Sequence, residues 1–142
     1  MYPITINPED NSQCQIPFNS GIKFNLIVRD MKNHPKNDGG EKTTIFLKGA
    51  PEKVLNRVSK ILVKNEAGQL VEENFSEEIS FETEAANSRF GLMGERVLAF
   101  ARFEVDSQDY PKGYQYDTKD WAKWDGIYSQ ESQSKPAGWF PM

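Results

Sequence analysis

Residues 48–55 read KGAPEKVL. A lysine and a glycine directly before a helix start are residue types that can hold a phosphate, since main-chain N–H groups and an ammonium can meet one anion. The spacing is not that of the G-x-x-x-x-G-K-[ST] phosphate loop. The same letters also make a plain strand-to-helix turn. Other chemistry has few candidates. The one histidine, His34, lies in the polar run KNHPKNDGGE (32–41) and reads as a solvated loop residue. The one cysteine, Cys14, excludes an internal disulfide and a Cys-rich zinc site. Ser-His or Cys-His catalysis therefore has almost no members to draw on. Among 21 acidic residues no nucleophile, general base or magnesium cluster stands out. The run EENFSEE (72–78) reads as the N-terminal end of a helix, where carboxylates suit the dipole.

The turn at 48–51 needs a strand before it and a helix after it. TTIFLKG (43–49) is β-branched and apolar, a strand. Pro51 fits the first helical position, where its missing N–H costs nothing. Val54, Leu55 and Val58 continue a helical stripe to about Ser59. Upstream, IKFNLIVRD (22–30) places Phe24, Leu26 and Val28 on one face, a strand. The polar loop 33–41 between these strands implies an antiparallel hairpin. Downstream, KILVKN (60–65) reads as a short strand ending in the turn NEAGQ. Asn74 with Glu77 marks a helix start. A helix over 76–91 carries Ile79, Ala85, Ala86 and Phe90, and Gly91 or Gly94 stops it. ERVLAFARFEV (95–105) reads as a further strand, buried on both faces. The expected class is α+β: a mainly antiparallel sheet with helices packed on one side.

The length of 142 residues suits one compact domain, and 37% hydrophobic residues suffice for one core. A net charge of −4 gives no footprint for duplex nucleic acid. No apolar run approaches the ~20 residues of a membrane helix, and the polar start MYPITINPEDNSQ has no basic-then-apolar signal. With a single cysteine, a reduced, cytosolic compartment is the simplest setting. Residues 1–15 read as an irregular arm, with Pro3 and Pro8 against a regular element. The end of the chain has no sustained period, yet holds Tyr110, Tyr114, Tyr116, Trp121, Trp124, Tyr128, Trp139 and Phe140. Aromatics in irregular chain wrap their own domain or dock on a partner, where Trp and Tyr dominate hot spots.

Three segments carry a family resemblance. KGAPEKVLNRVSKIL (48–62), GLMGERVLAFARF (91–103) and IPFNSGIKFNL (16–26), in this arrangement, resemble the nucleotide-binding domain of P-type cation-transporting ATPases, nearest the sodium/potassium pump. YPKGYQYDT (110–118) is similar to the segment that leads out of that domain. The likeness covers about 16–118, leaving an arm over 1–15 and an aromatic tail over 119–142. It implies that Phe18 stacks on adenine, a contact worth roughly 1–3 kcal/mol. It implies that Lys23 faces the nucleotide and that Lys48 reaches the base-ribose edge or the phosphates. Gly49 would let backbone approach the ligand, and Arg96 would set its planar fork against phosphate oxygens. These residues also have structural readings: Phe18 as core, Lys23 and Lys48 as solvated strand ends, Gly49-Ala50-Pro51 as a turn the fold needs, and Arg96 paired with Glu95 or another acid.

The sequence departs from the family in what surrounds these segments. The phosphorylated aspartate of D-K-T-G-T is absent, and YDTKD (116–120) shares its letters but not its order. The expectation is therefore no enzyme and no phosphoryl transfer. The resemblance begins only near Ile16, so the front half of the domain, with an acidic residue for the adenine amino group, has no counterpart. The pocket would be open on one side, and water would hold ATP affinity to the millimolar range. Missing strands would expose a sheet edge, to be covered by the arm, the tail or a neighbour. The chain reads as a small protein in its own right. Its expected role is that of a non-catalytic interaction or scaffold protein, docking through Trp121, Trp124, Tyr128, Trp139 and Phe140 into a larger complex. A cytoplasmic filament or microtubule assembly, cytoskeletal or ciliary, is one host that would fit. The alternative is an adenine-nucleotide module that binds ATP without hydrolysis. Neither role involves nucleic acid, a metal site or membrane insertion.

Overall fold

The computed structural model describes residues 3–31, 43–105, 110–116 and 118. Strands β1 (Gln15–Ile16), β2 (Phe24–Asp30) and β3 (Thr43–Gly49) are followed by a single helical turn α1 (Pro51–Val54) that tightens into a 3-10 turn (Leu55–Arg57). Then come β4 (Lys60–Lys64), β5 (Leu70–Asn74), helix α2 (Glu77–Leu92) and β6 (Ala99–Glu104). The main sheet is antiparallel in the order β1-β2-β3-β6, and β4-β5 make a separate hairpin. This is the small α+β architecture expected.

Alternation builds the main sheet. Phe24, Leu26 and Val28 of β2, Ile45 and Leu47 of β3 and Ala101 of β6 turn to one face and are buried. Val54, Leu55 and Val58 close that face from the α1 side. The opposite face is half-exposed or exposed along Asn25, Ile27, Phe46, Lys48, Phe100 and Arg102. β6 is thus not buried on both faces: Phe100 is 60% exposed and only Ala101 is fully inside. The alternation in AFARFE belongs to a half-covered antiparallel strand. Residues 95–98, expected within this strand, are irregular.

The helical expectation at 51–59 resolves into one turn plus a 3-10 turn, with Pro51 at the start as its missing N–H allows. α2 lies one residue from its expected bounds. Its N-cap is Ser76, whose Oγ accepts from Ile79 N–H at 3.3 Å, rather than Asn74, which ends β5. The helix runs through Gly91, and Gly94 at φ 80° follows its end. α2 buries none of its residues. Its sequence, EEISFETEAANSRFGL, supplies too narrow an apolar stripe to dock.

The arm at 3–14 is irregular but bonded. Thr5 N–H donates to Val28 O, Val28 N–H to Cys14 O, and Cys14 N–H to Thr5 O, each at 2.9 Å. The outer edge of β2 is covered in this way by β1 and the arm. Asn7, 1% exposed, then clasps the backbone at Tyr116. Its Nδ2 donates to Tyr116 O and Ser12 Oγ at 3.0 Å. Its Oδ1 accepts from Tyr116 N–H at 2.9 Å and from the Cys14 thiol at 3.0 Å. The Tyr116 ring stacks 6.2 Å from that of Tyr110, with Tyr114 edge-on to both at 5.0 Å. Burial, with Asp30 and Asp10 adding, pushes the Cys14 thiol up to about 11. Burial, then Cys14 and Asp30, pushes the Tyr116 phenol up to about 12.

Candidate functional site

The register of the main sheet decides which segments meet. Phe24 pairs with Gly49, and Gly49 with Ala99. One end of the sheet therefore gathers the start of β2, the end of β3 and the start of β6. Lys23 directly precedes Phe24, Lys48 directly precedes Gly49, and Arg96 stands three residues before Ala99. Segments scattered from residue 16 to residue 103 are neighbours because antiparallel strands alternate in direction.

Lys48 is exposed on the face away from the core. It lies between Asn25 of β2 and Phe100 of β6, and its ammonium stands 5.4 Å from the Phe100 ring centroid. Phe18 is 64% exposed, so its ring offers a face to a ligand and is no part of the core. Arg96 is exposed in the irregular segment leading to β6, and among the described residues it has no ion-pair partner, neither Glu95 nor an acid of α2. Lys23 adopts φ 59°, and its Nζ stands 3.7 Å from Glu52 Oε1 across an exposed gap. Such a pair contributes little, so an arriving anion can take the ammonium at small cost.

Gly49 has a structural part, the tight turn read for it beside the ligand role. It is buried, and a Cβ there would stand 2.5 Å from Lys23 O and 2.5 Å from Phe24 Cβ. The bare Cα makes room for the chain's own β2 strand, with Ala50 N–H donating to Lys23 O at 2.9 Å. Asn25 and Phe100 share the Lys48 row, and sequence reasoning did not single them out. Only the strand register marks them. Trp121, Trp124, Tyr128, Trp139 and Phe140 lie outside the described residues, as does His34. Among the described residues no cluster of three or more His, Cys, Asp or Glu could hold a metal ion, and no helix is long and apolar enough to cross a membrane.

The register thus brings Lys23, Lys48 and the approach to β6 that carries Arg96 to one end of an antiparallel sheet. Residues 4–132 match the family described as "P-type ATPase, cytoplasmic domain N", and this chain belongs to it. The match begins twelve residues before Ile16, within the arm. Among its relatives, the chain is 34% identical to the sodium/potassium-transporting ATPase subunit alpha-3 of Gallus gallus over 107 residues, 75% of this chain and 10% of that protein. It is 33% identical over 105 residues to the alpha-2 subunits of Bos taurus and of Sus scrofa, 74% of this chain and 9% of each. The chain spans about a tenth of the length of these relatives.

Proposed function

We propose that this chain binds an adenine nucleotide at the Lys48 end of its sheet and does not hydrolyse it. The observation that carries the reading is the register Phe24–Gly49–Ala99, which brings Lys23, Lys48 and the segment of Arg96 to one end of the sheet. Phe18 supplies an exposed ring for the base, a sequence-tolerant contact of roughly 1–3 kcal/mol. The cations supply the phosphate contacts, Arg96 with a planar fork and Lys48 as a point charge. Both stand in water, where screening keeps each contact small, so millimolar affinity is expected. Non-hydrolysis rests on the sequence, which has no aspartate in a D-K-T-G setting to accept a phosphoryl group.

Titration with ATP, followed by amide shifts, tests the reading. Shifts should concentrate at residues 18–25, 48–50 and 96–100. Absence of movement near Phe18 and Lys48 at several millimolar ATP removes it. A second role, as a scaffold docked through the aromatic tail, is proposed from composition: five Trp, Tyr and Phe side chains fall between 121 and 140. Truncation after Asp117 should abolish assembly with partner proteins while leaving the fold intact. Normal co-purification of the truncated chain would refute that role.

A further inference from the structure

Lys23 stands at φ 59°, in the left-handed region that residues with a Cβ avoid. Strain of this kind lasts only where the surroundings over-determine it, and it gathers where ligands are held. Both main-chain groups of Lys23 are pinned. Its N–H donates to Asn19 O at 2.9 Å, and its O accepts from Ala50 N–H at 2.9 Å over the bare Cα of Gly49. The loop that delivers Lys23 is closed from within by one side chain. Asn19 Oδ1 accepts from Gly21 N–H at 2.9 Å and from Ile22 N–H at 3.0 Å. An asparagine oxygen that captures main-chain N–H groups two and three residues on mimics a backbone turn. Asn19 is itself exposed, so it fills no part of the core. It stands directly after Phe18 and closes the loop that ends at Lys23, two of the residues the nucleotide would touch.

We propose that Asn19 is a positioning residue of the nucleotide site: its amide closes residues 19–23 and holds Lys23 left-handed beside the turn after Lys48. The inference rests on the nucleotide reading above and assigns the work of orientation to a side chain that need not touch the ligand. Asn19 acts through Lys23, whose ammonium is thereby carried over the start of α1 to Glu52, 3.7 Å away. The acceptor oxygen is what matters. A hydroxyl at the same position can replace it, because serine forms the same turn more weakly, whereas a methyl group cannot.

The test uses the full chain, with ATP as the probe, and three readouts: ATP affinity from amide shifts, the strong intraresidue HN–Hα NOE of a left-handed Lys23, and the shift pattern of β2 and β3. The substitution N19A should weaken ATP binding by about fivefold or more, the equivalent of one net hydrogen bond, and weaken the Lys23 NOE while β2 and β3 keep their shifts. N19S should recover most of both. Should N19A not fold, N19Q takes its place, since it carries the amide one methylene too far to reach Gly21 and Ile22. The inference is overturned if N19A, or N19Q in its place, binds ATP within about twofold of the unaltered chain, or if N19S binds no better than the alanine variant. If the unaltered chain itself fails to bind ATP, the nucleotide reading falls and takes this inference with it. Retained binding in N19A overturns this inference alone.

Discussion

Removal of the Asn7 side chain is the sharpest test of how the fold closes. In Asn7→Ala four hydrogen bonds disappear together. Three of their partners, the N–H and C=O of Tyr116 and the Cys14 thiol, belong to fully buried residues and would be left without a bond. A buried group stripped of its partner costs about 1–3 kcal/mol, and a thiol sits at the low end. The expected loss is about 3–5 kcal/mol, a large share of the roughly 5–15 kcal/mol that holds a domain folded. With a urea m-value of about 1–2 kcal/mol/M for a chain of this size, the midpoint should fall by about 1.5 M or more. Ser12→Ala is the control. It removes one half-exposed partner and should cost under about 1 kcal/mol. Alkylation of Cys14 by iodoacetamide gives an independent reading, since the thiol is fully buried and should become accessible in Asn7→Ala. A midpoint within the range of the Ser12→Ala control, with Cys14 still protected, would refute the idea that Asn7 closes the domain.

Further outcomes can be set beside this one. Phe18→Ala should leave stability within about 0.5 kcal/mol, because an exposed ring supports no core, yet weaken ATP binding roughly 5- to 150-fold; a large drop in urea midpoint would show that the ring is structural. Gly49→Ala must part β2 from β3 to seat a methyl 2.5 Å from Lys23 O, and should destabilise by about 2 kcal/mol or more; an unchanged midpoint would contradict the close approach at the hairpin end. Stability should fall in alkali. The folded Cys14 and Tyr116 groups are pushed up from 9.0 and 10.0 to about 11 and about 12. The unfolded chain therefore releases these protons first, and the contribution is complete below about pH 9 and lost as pH rises to about 12. In Cys14→Ala the early part of that decline, between about pH 9 and 11, should flatten, and a profile identical to the unaltered chain would refute the assignment.

The main sheet was legible where a strand has one buried face. β3 falls on its expected bounds, and β2 and β4 within two residues, because TTIFLKG, FNLIVRD and KILVK combine β-branched or apolar side chains with clear ends. β5 was not legible. LVEEN has two apolar residues and two acids, so it reads as the approach to a helix, and it becomes a strand only because the Gly68 turn folds it against β4. The position of α2 was legible from its polar start and glycine-rich end, but its lack of packing was not, since spacing alone gives no width to an apolar stripe. The site residues came from motif likeness. That Lys23, Lys48 and the approach to β6 lie at one end of the sheet came from register, which no spacing along one chain specifies. Asn25 and Phe100 flank Lys48 for that reason, and Asn19 emerges only from its hydrogen bonds.

The clasp at Asn7 joins groups 109 positions apart. Entry and exit of the polypeptide thus share one doorway. A module whose two leads run side by side can be spliced into a host chain like an enlarged surface loop, leaving the host's own path undisturbed. It also tolerates rewiring: a circular permutant that bridges residues 3 and 118 with a short flexible linker, and opens the chain in the turn at Gly68, should reach the same fold.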